Sequence, residues 1–559
     1  MMSVALSLVL LAIACCFGAE SKASKSLPPP TFAPAYTATG TIKLPYAELT
    51  EPFTAYFDQH QNMSRIDYYR GLMKTFQIAT DSARTPGGAF FKIVWVPNAA
   101  THDPERACFQ VNATESHPIK IQPVMPDLTS FKHQGERPCF ASSRKDMCEM
   151  WMLITMHLSR RNNYRFYARK NGSDYVPVRY IMHGYNTLFH THYDHYELHY
   201  ESYKPGAVNK KVFDPTTADS TPKCGHLPAY SGPADRHLLN PMLEFIHYDA
   251  RQHHRHFRRF KKIHNKKYRW REEEEKRRNN FRHNKRFIDS HNRRSQSYKL
   301  HVNHLADRDS NEQRRLRGTS HRPIYSGGRP FQSWKYSNKR VPLHHDWTGR
   351  GVIMPIKDQA MCGSCWSFGT VAHIEAIYAI QRRKLVRFSE QQLMDCSWAY
   401  GNGGCSGGSH FAAIQYIMDY GLATSEQYGR YLGVDGKCHD KIVKPKELRT
   451  LRGYVNVTSV KEAKLAVAFV GPLVISVDAS HKTFVYYSRG IYDNPECKSR
   501  AEELDHTVLL TGFGQTKSGK PYWIIKNSWS PHWGQNGYMK IAMKGNLCGV
   551  VSSAAYVLL

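Results

Sequence analysis

Thirteen cysteines occur in 559 residues, and seven of them lie beyond position 361. In an oxidising compartment six of those seven can pair, and one stays a thiol. The string Gln359-Ala360-Met361-Cys362-Gly363-Ser364-Cys365-Trp366 singles out Cys365. Cys365 opens a helical stretch that runs to about Arg383, with Phe368, Val371, Ala372, Ile374 and Ile377 available for packing. A thiol at a helix N-terminus meets the positive end of the helix dipole, which is expected to lower its pKa below ~8.5. Acyl transfer by a thiolate also needs a base, an orienter for that base and donors for the oxyanion. His506, in Leu504-Asp505-His506-Thr507-Val508-Leu509-Leu510, and Asn527, in Trp523-Ile524-Ile525-Lys526-Asn527-Ser528-Trp529, stand at polar ends of apolar, strand-like runs. A lone His or Asn at a strand end is usually structural, and spacing alone does not bring these groups together.

The elements that would position these residues begin well upstream. From Phe257 the pattern is helical and highly charged. Glu273, Arg277, Phe281, Asn284, Ile288 and Asn292 are separated by 4, 4, 3, 4 and 4 residues, which places all six on one helix face. Between Arg251 and Ser320 there are 23 Lys and Arg against 8 Asp and Glu, a net of +15 out of +30 for the chain. The basic excess is therefore local. A solvated charged helix or a nucleic-acid arm is compatible with it. A loop with Gly327-Gly328 and Pro330 follows, and Lys339-Arg340 before Val341-Pro342 offers a dibasic processing site.

Together these residues resemble the papain-like cysteine proteases of the cathepsin L-like branch. Gln359 to Trp366, His506 at 141 residues after Cys365, and Asn527-Ser528-Trp529 at 162 carry the peptidase part of the resemblance. The order Glu-Arg-Phe-Asn-Ile-Asn is the ERFNIN pattern of propeptides in that branch. His301-Val302-Asn303-His304-Leu305-Ala306-Asp307 resembles their GNFD motif, with His301 in place of the glycine and Leu305 in place of the phenylalanine. The resemblance covers Phe257 to Leu559. It implies an α+β fold: a two-lobed peptidase with a helical lobe and a β-barrel-like lobe, preceded by a helical propeptide. It also implies roles. Cys365 attacks the scissile carbonyl, His506 is the acid and base, Asn527 orients the imidazole, and Gln359 donates to the oxyanion beside the Cys365 N–H. Trp529 would shield the His–Asn bond. Gly407 and Gly408 would bind an extended peptide, with His410, Ser476, Leu504, Asp505 and Ser553 around the specificity pocket, none of whose lining residues His410, Ser476, Leu504 and Ser553 is acidic. The implied disulfides are Cys362–Cys405, Cys396–Cys438 and Cys497–Cys548. No insertion blocks the cleft, which favours an endopeptidase. No cofactor or metal is implied. The partners are protein and peptide substrates and the chain's own propeptide, leaving the cleft at acid pH.

The region before the propeptide is rich in Tyr, Phe, His, Thr and Pro, and reads as β-rich, with Ala89 to Val96 and Tyr175 to Met182 as strands. Cys108, Cys139, Cys148 and Cys224 there permit two disulfides in three possible pairings. His190, His192, His195 and His199 show no metal-ligand spacing. The expected boundaries are 1–19 signal peptide, 20–235 N-terminal domain, 236–340 basic linker and propeptide, and 341–559 peptidase. The apolar run Val4 to Phe17 reads as a secretory leader, although its start lacks Lys and Arg. Sequons at Asn62, Asn112, Asn171 and Asn456 agree with the secretory pathway, to a lysosomal or secreted destination. Neither a membrane nor a nucleic acid is expected as a partner. The long N-terminal region resembles the two-chain insect proteases, in which the first chain could remain bound after processing. A competing reading keeps the peptidase fold as an idle scaffold for an N-terminal ligand-binding module.

Overall fold

Strand β1 (Ala35–Leu44) buries Tyr36, Ala38, Ile42 and Leu44 and turns Thr37, Thr39, Thr41 and Lys43 outward, the period of a sheet with one face on a core. The structure, a computed structural model, describes residues 27–80, 87–98, 103–114, 118–216, 223–227, 240–242, 245, 251–294, 297–320 and 327–559. The expected leader lies outside the described residues. Ten further long strands follow: β2 (Leu49–Asp58), β3 (Met63–Tyr68), β4 (Met73–Ile78), β5 (Ala89–Pro97), β6 (Pro104–Asn112), β7 (Lys132–Phe140), β8 (Ser143–His157), β9 (Arg160–Asn171), β10 (Asp174–Asn186) and β11 (Thr191–Pro205). They form two antiparallel meanders joined where β1 pairs with β11. A short β12 (Gly225–His226) lies parallel to β6 at one edge. Disulfides Cys108–Cys224 and Cys139–Cys148 close this unit. Met242 and Phe245 are buried in the same core, so the sheet unit physically extends past the expected boundary at 235.

The propeptide forms α1 (Arg251–Ile263), α2 (Arg271–Arg293), β13 (Tyr298–Leu300) and α3 (Ser310–Arg314). Glu272, Glu273 and Glu274 in the first turn of α2, and Arg293 in its last, suit the helix dipole. Each residue of the six-residue face has a partner. Glu273 accepts from the Arg269 N–H, Arg277 grips Glu312, Phe281 packs on Phe257 and Phe260, Ile288 is buried, and Asn284 and Asn292 hold the carbonyls of Ala306 and Leu300. In the downstream turn Asp307 accepts from Lys266 and the Tyr268 hydroxyl, while Leu305 is buried in the core.

The remaining chain has a helical lobe with α4 (Cys365–Arg382), α5 (Glu390–Cys396), α6 (His410–Tyr420) and α7 (Ser425–Tyr428). A second sheet faces it, built from β14 (Arg329–Pro330), β15 (His345–Asp346), β16 (Gly453–Val457), β17 (Leu473–Val477), β18 (Tyr487–Tyr492), β19 (His506–Gln515), β20 (Pro521–Lys526), β21 (Tyr538–Ala542) and β22 (Ala554–Leu558). Its order is β13-β18-β21-β20-β19-β17-β22-β16-β14, with β15 on β19. Both outer strands come from before Val341, so the upstream chain takes both edges of the catalytic sheet and leaves neither open. Phe287 of α2 packs against both the N-terminal core and the core shared by propeptide and catalytic sheet.

Candidate active site

Three elements converge on one buried point. Cys365 is the first residue of α4, His506 the first of β19, and Asn527 directly follows β20, the antiparallel neighbour of β19. His506 Nε2 and Asn527 Oδ1 are 2.8 Å apart. The Trp529 ring lies over the imidazole with centroids 4.6 Å apart and is itself buried, shielding that bond from water. Gln359 enters from the loop before α4, and the Ser528 hydroxyl donates to its Oε1 at 2.7 Å. That bond fixes the amide so that Nε2 donates to the carbonyls of Leu316 and Cys362, at 2.9 and 2.8 Å.

The propeptide lies across this point. The Gly318 N–H donates to Cys365 Sγ at 3.3 Å, and the Thr319 hydroxyl is 3.6 Å from the same sulfur. The Gly408 N–H donates to Gly318 O at 2.7 Å, and the Ser320 N–H donates back to Gly408 O at 2.8 Å. Thr319 and Gly408 thus form a parallel bridge. A Cβ at Gly318 would strike the Gly363 carbonyl, so only glycine allows this approach. Arg317 Nη1 reaches Asp505 at 3.2 Å, and the Thr319 N–H donates to the Asp505 carbonyl.

Covering changes the electrostatics. Burial pushes the Cys365 thiol up, against smaller lowering contributions from its hydrogen bonds to Thr507, Thr319 and Gly318. Burial also pushes His506 down to about 3, against the bond from Asn527. His506 Nδ1 has no hydrogen-bond partner. The lowered thiol pKa expected from the helix N-terminus does not hold in this covered state. Desolvation outweighs the dipole, and the thiol and imidazole are both neutral.

The sulfurs divide as follows: Cys362–Cys405, Cys396–Cys438 and Cys497–Cys548 are bonded, and Cys365 is free. Gly407 adopts φ +115°, and His410, Ser476, Leu504 and Ser553 are all buried. Ser476 Oγ lies 3.5 Å from Thr507 Oγ1, which in turn meets Thr319 Oγ1 at 2.7 Å. Asn62, Asn112 and Asn171 are exposed, whereas Asn456 is half-buried with its amide against Gly328. Sequence reasoning did not find Ser528, Thr507 or Tyr431, whose hydroxyl bonds Gln359 O and Ser364 Oγ. Ser528 and Thr507 sit beside singled-out residues, and that adjacency was the only signal.

Known proteins resemble this arrangement. Residues 341–558 match the family described as "Papain family cysteine protease", and residues 257–312 match "Cathepsin propeptide inhibitor domain". A "Cathepsin L-like peptidase" of Aedes aegypti is 40% identical over 314 residues, covering 54% of this chain and 91% of that protein. "Cathepsin L1" of Drosophila melanogaster is 38% identical over 313 residues, covering 54% and 83%. The solved digestive procathepsin L2 proteinase of Tenebrio molitor larval midgut aligns with TM-score 0.51 and 31% identity over 55% of this chain and all of that one.

Proposed function

The chain belongs to the papain family of cysteine proteases, with a cathepsin-type propeptide, and on that premise we propose that Cys365, His506, Asn527 and Gln359 are its catalytic groups. The activity is that of a cysteine-type endopeptidase, made as a precursor that its own propeptide inhibits. The observation that carries the residue assignment is the convergence of Cys365, the His506–Asn527 pair and the Gln359 amide beneath Gly318–Ser320. Once the propeptide leaves, water reaches Cys365 and His506, and the desolvation that holds both neutral is lifted. The thiol proton passes to His506, and the helix dipole and imidazolium stabilise the thiolate. The thiolate adds to the peptide carbonyl. Gln359 Nε2, now free of the Leu316 carbonyl, donates to the oxyanion. The imidazolium protonates the departing amine, and water, deprotonated by His506, hydrolyses the thioester and regenerates the thiol.

Gly408 supplies both backbone groups to a bound chain, and the propeptide uses them in parallel. A substrate runs antiparallel to this segment in the same reading. The expected path is the secretory pathway, to a lysosome or outside the cell, supported by five disulfides and by sequons on exposed asparagines. In this reading the N-terminal chain stays with the catalytic chain after scission for as long as α2, which touches both, remains docked, and active enzyme forms when that contact is lost. An epoxysuccinyl inhibitor tests the assignment. It should label Cys365 in the processed enzyme and leave the uncut precursor unlabelled at neutral pH. Labelling elsewhere, or none, overturns it.

A further inference from the structure

We propose that the N-terminal sheet is half of the inhibitor: it binds the outer face of propeptide helix α2, and sheet and propeptide stay one body that blocks the catalytic cleft after the chain is cut before Val341. The inference rests on the propeptide inhibition proposed above and extends it to the N-terminal sheet.

Helix α2 has two buried faces. One carries the six-residue pattern and packs within the propeptide. The other carries Arg282, Arg286, Ser290 and Arg293, and all four are buried although three are cationic. Their partners are on the sheet. Asp194 of β11 accepts from Arg286 Nη1 and Nη2 at 2.6 and 3.1 Å and from Arg282 Nη1 at 3.3 Å. Glu51 of β2 takes Arg293 through both oxygens. Ser290 Oγ meets the Tyr69 hydroxyl at 2.6 Å, and Arg160 of β9 reaches Glu275 at 3.0 Å. The guanidinium groups of Arg282, Arg286 and Arg293 also lie over the rings of Tyr193, Phe245 and Tyr68. Bidentate, desolvated pairs of this kind are strong in place and costly to break singly.

The side-chain ion pairs and hydrogen bonds that join the sheet directly to the catalytic domain are weaker. They include Glu48 with Lys482 and Asp103 with Lys520 and Ser518, and Glu48 and Lys520 are well exposed. Exposed pairs contribute little. The sheet is therefore fastened to the propeptide, and the propeptide to the cleft. With α2 gripped on its outer face, the propeptide keeps the shape that fits the cleft, and rebinding costs less ordering entropy than it does for a free peptide.

The test uses the full precursor with a site for a site-specific endoprotease in place of the exposed Ser337–Lys339. After cutting at neutral pH, the two parts should co-elute, and hydrolysis of a peptide substrate should stay low at micromolar protein and rise on dilution. Asp194→Asn should raise the concentration of half-maximal activity at least about tenfold, and Tyr69→Phe by about 2- to 10-fold. If Asp194→Asn gives no folded precursor, Tyr69→Phe and Ser290→Ala decide the matter. Full activity immediately on cutting at micromolar protein overturns the proposal, and so do dilution midpoints unmoved in these variants. An uncut precursor that is already active is a different failure: it overturns propeptide inhibition itself, and this proposal with it.

Discussion

Neither Cys365 nor His506 touches water in the covered cleft, so the charge separation that makes the thiol reactive is absent until Gly318–Ser320 leave. In the processed enzyme, Gln359→Ala should lower kcat by about 10²–10³-fold with little change in KM, because its donor matters most to the oxyanion. Ser528→Ala leaves that donor present but free to flip, and a loss of about 2- to 10-fold is expected from one hydrogen bond. Steady-state kinetics on a peptide substrate separates the two. A second group of residues concerns release. His264 after α1, His304 before α3 and His532 of the catalytic domain form a cluster with ring centroids 5.3 to 6.4 Å apart. Lys266 and Arg308 add positive charge around it, Asp307 and Asp358 negative, and His301, whose pKa burial lowers, faces it as well. Burial lowers His264 to about 4 and His304 to about 3. Their docked pKa values lie below the free value of ~6.5. The undocked propeptide therefore binds more protons, and docking weakens as pH falls from 6.5 toward 4 for His264 and toward 3 for His304. Above 6.5 the two residues contribute no pH dependence. His264→Gln with His304→Gln should move the acid midpoint of precursor processing downward and leave latency at pH 7.5 intact. Processing rates measured from pH 4.5 to 7.5 check it, and an unmoved midpoint excludes these two histidines as the trigger.

At the scale of elements, α4 and α5 are tied by Lys357, whose Nζ lies 2.7 Å from Glu375 and also bonds Glu390. Both carboxylates are buried. Lys357→Ala strands two negative charges there, and a loss of about 3–5 kcal/mol is expected, read as a lower urea midpoint of the processed enzyme. Helix α2 was legible from its spacing because a helix face is a local property: residues three and four apart align whatever lies beyond. The role of its charge is not legible by the same local logic. A run of arginines looks solvated until a partner is placed opposite, and Asp194 and Glu51 lie 92 and 242 residues from theirs in sequence. The catalytic constellation was legible through resemblance, since Cys365, His506 and Asn527 carry distinctive flanks. The supporting hydroxyls of Ser528 and Thr507 lie in those flanks without any sign of their partners, Tyr431 has no such flank, and only the pairing of β19 with β20 and the placing of the cleft loops bring them in.

At the scale of the whole molecule, the propeptide is held by two junctions that respond to acid to different degrees. On the catalytic side, histidines oppose protonation and are surrounded by Lys266 and Arg308. On the sheet side, Arg286 and Arg282 hold the Asp194 carboxyl well below the usual carboxylate range despite its burial. A carboxylate with a depressed folded pKa contributes stability that is present above its unfolded value of ~3.9 and lost only as pH falls through the lower folded value. At pH 4.5 the Asp194 pairs are therefore intact, although His283 of α2, which faces the Tyr193 carbonyl of β11 and is pushed by burial down to about 4, weakens this side as well between pH 6.5 and 4. The catalytic side carries two such histidines, His264 and His304, and the sheet side carries His283 beside the acid-resistant Asp194 pairs, so acid should open the catalytic side first. Hydrogen exchange of the Cys365→Ala precursor, which cannot process itself, reads this directly. Between pH 7.5 and 4.5, after correction for intrinsic exchange rates, amides of Gly318–Ser320 and of β13 should lose protection as they leave the cleft and the edge of the catalytic sheet. Those of α2 between Arg282 and Arg293, and of β11 around Asp194, should keep more of it. Equal loss on both sides would mean that the propeptide leaves the sheet and the cleft together, and that the arginine face of α2 has no separate role in what happens after the cleft opens.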